Sequence, residues 1–164
     1  MKNKVAILNA TPLISLAILD QLALLSKIFY KVVIPSEVSK EVVQEGKFKS
    51  KEIGAWIKDK VVASQNKHWI ELFSISLDKG ESEVLALYHE INNSIVVIDE
   101  SKARKLAAKQ KIPHIGTLGV LLLAKRLGML DAIAPLLEKL KENGIRISQE
   151  LCAYILKEAG ESLL

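Results

Sequence analysis

Residues 95–102 read IVVIDESK: four consecutive apolar side chains that stop at two adjacent carboxylates. An uninterrupted run of this length predicts a strand covered on both faces, as in a parallel sheet. In open α/β sheets, ligands bind just beyond the carboxyl ends of such strands, which is where Asp99 and Glu100 fall. The same two acids have a structural reading as well, because carboxylates are favoured at helix starts.

Outward from this stretch, the chain alternates strand and helix patterns. Val5–Leu8 is a second fully apolar strand candidate, followed by Asn9 and Ala10. Thr11 is expected as an N-cap, with Pro12 at the first helical position. A further helical stretch lies near Gln21–Ile28, a strand over Lys31–Ile34 is closed by Pro35, and Ser36 can cap a helix reaching about Glu45. A helix is expected over Glu52–Val62, a short strand within Trp69–Ile75, and a helix from Asp78 to about Ile91. After the strand Ile95–Ile98 come a helix over Ser101–Gln110, a short strand within Pro113–Gly116, and helices over Leu118–Leu127, Ala132–Glu142 and Ser148–Glu158, with Gly128 and Gly144 as stops. This alternation predicts an α/β fold with a central, mainly parallel sheet flanked by helices. One domain is expected over residues 1–164, with the helices of about 132–158 packed on it, since no repeat or linker divides the chain.

Composition narrows the function classes. The 164 residues are 49% hydrophobic and 26% charged, as in a folded globular protein. Only 5% are aromatic, which argues against recognition based mainly on stacked aromatics. The net charge of +4 permits an anionic partner without requiring one. One cysteine, Cys152, cannot form an internal disulfide, and a reducing cytoplasm fits. The start MKNK followed by VAILNATPLISLAIL has the outline of a signal peptide, but Asn9, Thr11 and Pro12 interrupt the apolar run, which is also too short for a membrane span. No membrane association is expected.

Several polar residues stand where chemistry could use them. In the helix containing GESEVLALYHEI, Glu81 falls within the apolar stripe of Val84, Leu85, Leu87, Tyr88 and Ile91, whereas Glu83 and Glu90 fall outside it. An inward carboxylate is costly unless paired, protonated or metal-bound. Glu81 also stands three residues after Asp78, the spacing of a capping box, and the two readings are compatible. Glu37, Glu41 and Glu45 recur at four-residue intervals, where like charges repel. A cation would relieve them; a solvated acidic face is the other reading. Asn9 ends the first strand as Asp99 ends a later one, either as a site residue or as a turn amide. Lys102, Lys105 and Lys109 form a solvated helix face, while Arg104, at its margin, could reach a phosphate or one of the acids. His68, His89 and His114 lack metal-ligand spacing. GTLG at 116–119 is too short for a phosphate cradle, and no dinucleotide fingerprint or nucleophile elbow is present.

Five segments in order, ILNATPLISLA, VVIPSEVSKEV, LDKGESEVLAL, VVIDESKARKLA and IGTLGVLLLAK, together with the tail LEKLKENGIRISQELCAYILKEAGE, resemble the PIN-domain family, in particular its small PIN-like branch related to VapC-type toxins. The resemblance covers nearly the whole chain. It implies a three-layer α/β fold whose clustered acids bind Mg²⁺ or Mn²⁺ and hydrolyse RNA phosphodiester bonds, as the toxin of a toxin–antitoxin pair. Its partners would be RNA, a small antitoxin protein and, in a homodimer, a second copy of the chain. Carried over residue by residue, the family's first acid falls on Asn9, the second on Glu41, the third on Glu81 and the fourth on Asp99 or Glu100. Thr11 matches a small hydroxyl residue near the first acid, and Lys102 and Arg104 are candidates for phosphate contact. Hard cations of this kind prefer oxygen ligands. The departure is Asn9, whose amide oxygen can bind Mg²⁺ but brings no charge. The alternative that follows is a catalytically weak or inactive PIN-like module that binds nucleic acid or protein. A phosphoryl-receiver domain is disfavoured, because the first strand ends in Asn9 instead of an acid and no lysine stands at a late strand end.

Overall fold

The computed structural model describes residues 1–162; residues 163 and 164, which the expected domain includes, lie outside them. Five strands, β1 (Val5–Leu8), β2 (Lys31–Pro35), β3 (Val61–Val62), β4 (Ser94–Val97) and β5 (His114–Ile115), form one sheet in the order β3-β2-β1-β4-β5. Every pairing is parallel, as the apolar runs required. The helices are α1 (Ala10–Ile18), α2 (Ala23–Ile28), α3 (Ser36–Val42), α4 (Ser50–Ile57), α5 (Lys67–Ser74), α6 (Lys79–Glu90), α7 (Ser101–Lys109), α8 (Thr117–Arg126), α9 (Ala134–Glu142) and α10 (Gln149–Glu158). Helices flank the sheet in a three-layer α/β arrangement. No helix among the described residues is long and apolar enough to cross a membrane.

The central strands are fully covered: Ala6, Ile7 and Leu8 of β1 and Val96 and Val97 of β4 have no exposed surface. Leu13 and Leu16 of α1, Val38 of α3 and Val84 and Leu85 of α6 complete the same core. The chain builds outward from β1 through β2 to β3, then crosses to the other side of β1 to lay down β4 and β5. The reversal therefore falls between β1 and β4, in register Leu8 opposite Val97. A crevice outside the carboxyl ends of the two strands at such a switch point is the ordinary ligand position of this fold class.

Four expectations are corrected. The helix after β1 begins at Ala10 with Asn9 as N-cap, so Thr11 is not the cap and Pro12 is not the first helical residue. Pro12 is still tolerated there, because no amide in the first turn has an intrahelical partner. The next helix begins at Ser36 itself, with Pro35 at the N-cap position, so Ser36 is not its cap, and it stops at Val42, short of Glu45. The stretch Glu52–Val62 divides: α4 ends at Ile57, and Val61–Val62 becomes an edge strand on β2. Trp69–Ile75 is not a strand but most of α5. There the Asn66 side chain caps the Trp69 amide at 3.2 Å, the Glu90 carboxylate accepts from the Gln65 and Asn66 amides, and Trp69 stacks on His89 with ring centroids 3.9 Å apart.

Candidate active site

Parallel topology brings several helix N-termini to the carboxyl edge of the sheet, because a helix that follows or precedes a parallel strand runs antiparallel to it. The partial positive charge of those ends favours carboxylates, and the acids of this chain gather there. Asp78 caps α6 by accepting from the Glu81 amide at 2.8 Å, and the Glu81 carboxylate accepts from the Asp78 amide at 3.1 Å. The capping box is therefore real, and Glu81 is also buried, at 8% exposure. Both readings hold together. Burial pushes the Glu81 carboxyl above its ordinary range, with repulsion from Asp78 and Glu100 adding to it and the Asp78 amide and Lys102 opposing it.

Asn9 and Glu100 meet across the switch point. The β1–β4 ladder continues one step beyond the strands, with the Asn9 amide donating to the Val97 carbonyl at 3.0 Å. This fixes Asn9, which is 3% exposed, opposite the residues that follow β4. Its Nδ2 donates to Glu100 Oε2 at 2.9 Å. Thr11, freed from capping, donates its hydroxyl to Glu100 Oε1. Glu100 is thus gripped from one side by an amide and a hydroxyl of α1, while its backbone forms the N-cap position of α7.

Asp99 turns the other way. Its Oδ1 accepts from the Thr117 amide at 2.7 Å and its Oδ2 from the Thr117 hydroxyl at 2.6 Å, so it caps α8. Burial raises its carboxyl above the usual range; the Thr117 bonds and nearby Arg104 pull it back, and Glu100 pushes it further up. Arg104 Nη1 donates to the Ile98 carbonyl at 3.0 Å and shares the space over Gly116 with Asp99. A Cβ on Gly116 would sit 2.8 Å from Asp99 Oδ1 and 2.9 Å from Arg104 Nη1, so any larger residue must displace both side chains. Arg104 thus spends one donor on a backbone carbonyl and lies within electrostatic reach of Asp99 without forming an ion pair to it among the described residues.

The structure therefore gathers Asn9, Thr11, Glu81, Asp99 and Glu100 at one edge, in contact or electrostatically coupled. Glu41 stands apart from that contact set. It shares a surface cleft with Asp78 and Gly80, its Oε2 3.6 Å from where a Gly80 Cβ would be, and it faces Lys47 at 3.8 Å. Asp99 lines a different cavity with Thr11 and Thr117. Glu37, the neighbour expected to repel Glu41, is instead paired with Lys40 at 2.5 Å. Among the described residues, no three Asp, Glu, His or Cys side chains are arranged to hold a metal ion as they stand. Lys102 is exposed and within electrostatic reach of Glu81.

Three residues were not found from the sequence. Glu83 is 3% exposed and accepts from the Ser36 hydroxyl at 3.0 Å, the Glu37 amide at 2.7 Å and the Ser64 amide at 3.0 Å. It thereby caps α3, whose start no side chain of its own satisfies. The wheel placed Glu83 outward because it assumed one buried face, whereas every residue from Gly80 to Leu87 in α6 is buried. Gly116 and Thr117, in the short GTLG stretch, form the seat of Asp99. No local signal distinguishes them, because their partner lies eighteen positions away.

A family model described as a PIN domain (DUF3368) matches residues 5–161. No curated protein matches the chain.

Proposed function

The chain belongs to the PIN-domain family, a nuclease fold, and on that premise we propose that it is a divalent-metal-dependent ribonuclease hydrolysing RNA phosphodiester bonds. The observation that carries this reading is the convergence of Asn9 and Thr11 from the end of β1 with Asp99 and Glu100 from the end of β4, at the switch point, with Glu81 coupled to Glu100. The donor set fits a hard cation: every candidate ligand atom is oxygen, and two of the acids are held above their ordinary pKa by burial and, secondarily, by repulsion from Glu100. A cation relieves that strain.

Glu81, Asp99 and Glu100 would hold Mg²⁺ or Mn²⁺, with the Asn9 side-chain oxygen and Glu41 as further oxygen donors at the margin. A metal held there would supply a coordinated water of lowered pKa and positive charge toward the phosphate. Asn9 and Thr11 fix the direction of the Glu100 carboxylate through two hydrogen bonds. Thr117 fixes Asp99, and Arg104 tempers its charge. Asn9 spends one amide hydrogen on Glu100, and its side-chain carbonyl oxygen is the atom that would ligate. Lys102, exposed beside Glu81, is the candidate for the RNA backbone, where neutralised phosphates make affinity salt-dependent.

One feature favours a second reading, a weakly catalytic or inactive module that only binds RNA or protein: each acid at the edge already has protein hydrogen-bond partners, and Asn9 brings no charge. Incubation of the purified protein with a mixed RNA pool in Mn²⁺, Mg²⁺ or EDTA separates the two. Metal-dependent cleavage that Glu100→Gln abolishes supports the nuclease; RNA retention without cleavage in either metal supports the module. The role of toxin in a toxin–antitoxin pair rests on the resemblance of the five ordered segments. Growth arrest on expression of the chain, relieved by Glu100→Gln, is its expected signature.

A further inference from the structure

Helices α3 and α6 lie against each other and run antiparallel. On the second turn of α6, the Glu83 carboxylate reaches the start of α3: Oε1 accepts from the Ser36 hydroxyl at 3.0 Å and Oε2 from the Glu37 amide at 2.7 Å. Oε1 also accepts from the Ser64 amide of the β3–α5 connection at 3.0 Å. About one turn earlier on α6, a Cβ on Gly80 would lie 3.3 Å from Val38 Cγ2 and 3.6 Å from Glu41 Oε2, so the two helices approach closely there. Asp78, just before α6, shares a cleft with Glu41. Contacts thus progress in opposite directions along the two helices, with Glu83 at one end and Glu41 at the other. Among the described residues, every hydrogen bond between α3 and α6 goes to Glu83.

We propose that Glu83 is a positioning residue for the cation site: it fixes the register of α3 on α6 and so holds the Glu41 carboxylate beside the first turn of α6, which carries Glu81. The inference rests on the nuclease reading, in which Glu41 is an oxygen donor at the margin, and adds what brings that donor to the acids. Val38 and Val42 bury α3 in the core, but apolar burial is non-directional and does not by itself set a register. Hydrogen bonds to a carboxylate are directional and strong. With seven residues, α3 is too short to be stable alone, and its start has no cap of its own. Glu41 follows the Glu37 amide by four residues, about one turn, so what loosens the helix start also displaces Glu41. Mg²⁺ demands near-ideal ligand geometry, and a small slip of α3 is therefore felt as lost affinity.

The test is Mn²⁺ affinity, read from the electron paramagnetic resonance signal of free Mn²⁺ as the metal-free protein is titrated without RNA. Glu83→Gln keeps one acceptor oxygen and loses the other. It should bind Mn²⁺ about tenfold more weakly than wild type, the low end for residues that orient metal ligands. Glu41→Gln should also weaken binding. The double variant should be no weaker than the weaker single one, because a residue that acts through another is not additive with it. Ser36→Ala removes one of the three donors to Glu83 and should show the same pattern with a smaller loss; it carries the test if Glu83→Gln does not fold. A Glu83 that is only structural lowers the melting temperature and leaves Mn²⁺ affinity unchanged, which would overturn the proposal. Additive losses in the double variant, or wild-type affinity in Glu41→Gln, would overturn it too. Cleavage of RNA by the wild type, with Mn²⁺ affinity unchanged in Glu83→Gln and Ser36→Ala, refutes the positioning role alone. The expected affinity pattern without RNA cleavage upholds that role and refutes the nuclease. Absence of Mn²⁺ binding by the wild type at millimolar metal overturns both.

Discussion

Asn9→Asp isolates the one position where the chain departs from the acidic pattern of its family. In the folded protein, Asn9 Nδ2 donates to Glu100 Oε2 at 2.9 Å, with Asn9 almost wholly buried. The substitution is nearly isosteric, so packing is preserved, but the donor is replaced by a second carboxylate oxygen facing the first. Loss of a hydrogen bond to a charged group costs about 1.5–3 kcal/mol. Two carboxylates held about 4 Å apart at an effective dielectric of about 20 repel by about 4 kcal/mol. Protonation limits the sum: when one carboxyl keeps a proton, the hydrogen bond re-forms and the pKa of the pair rises. A metal-free penalty of about 2–4 kcal/mol at pH 7.5 follows, or roughly 5–15 °C in melting temperature for a chain of this size. Because the folded-state pKa of the pair is raised, the folded form binds a proton that the unfolded form has released. The penalty is therefore present at high pH and is lost as pH falls through that raised pKa. Mn²⁺ should reverse it, because a cation satisfies both carboxylates and a ligand that binds only the folded form stabilises it by mass action. Melting curves in EDTA and in Mn²⁺, at pH 5 and 7.5, read all of this. A variant that melts with wild type in EDTA at pH 7.5 would refute the Asn9–Glu100 contact, and one that gains no more from Mn²⁺ than wild type does would refute the ligand position assigned to Asn9.

Asp99→Asn and Glu81→Gln should each raise the metal-free melting temperature by a few degrees at pH 7.5 and reduce the gain from Mn²⁺. Both carboxyls are held above their ordinary pKa, so each opposes folding increasingly as pH rises from about 4, and the advantage of the variants should shrink toward that pH in a melting series. Gly116→Ala forces a methyl to within 2.8 Å of Asp99 Oδ1 and 2.9 Å of Arg104 Nη1. Overpacking of this kind costs about 1–3 kcal/mol, measurable by urea denaturation, and the displaced Asp99 should depress RNA cleavage beyond what lost stability explains. Glu83→Ala leaves the Ser36 hydroxyl and the Glu37 and Ser64 amides without their acceptor, at a cost on the order of 3 kcal/mol. Glu83→Gln, which keeps one acceptor oxygen, should lose clearly less in the same titration.

What the sequence disclosed and what it hid divide along a physical line. Val5–Leu8 and the strand ending before Asp99 were legible because a strand buried on both faces must be apolar throughout, a property of the strand alone. The acids after that strand were legible as site candidates for the same reason: the end of such a run has a fixed place in the fold. The start of α1 was misread because Pro12 is acceptable anywhere in a first turn, and the hydroxyl of Thr11 was assigned to capping when a distant carboxylate claims it. Val61 and Val62 continued the pattern of the preceding helix; only pairing with β2 makes them a strand. The apolar and aromatic content of Trp69–Ile75 suggested a strand, and the Asn66 cap, the Glu90 carboxylate and the His89 stack override it. Glu83, Gly116 and Thr117 were hidden because each acts on a partner far along the chain. Glu41 was legible as an acid of the family's pattern, yet its helix sets it in a cleft with Asp78, apart from the contacts around Glu100.

The central claim is that Glu81, Asp99 and Glu100 are one cation site flanked by Asn9 and Thr11. The most direct test is anomalous diffraction from crystals soaked in Mn²⁺. The account predicts a Mn²⁺ peak between the Asp99 and Glu100 carboxylates, at about 2.0–2.2 Å from their oxygens as hard six-coordinate cations require, with Glu81 ligating directly or through water. A Mn²⁺ site elsewhere on the chain, with Glu100 still held by Asn9 and Thr11 and no peak beside Asp99 at millimolar metal, would contradict it.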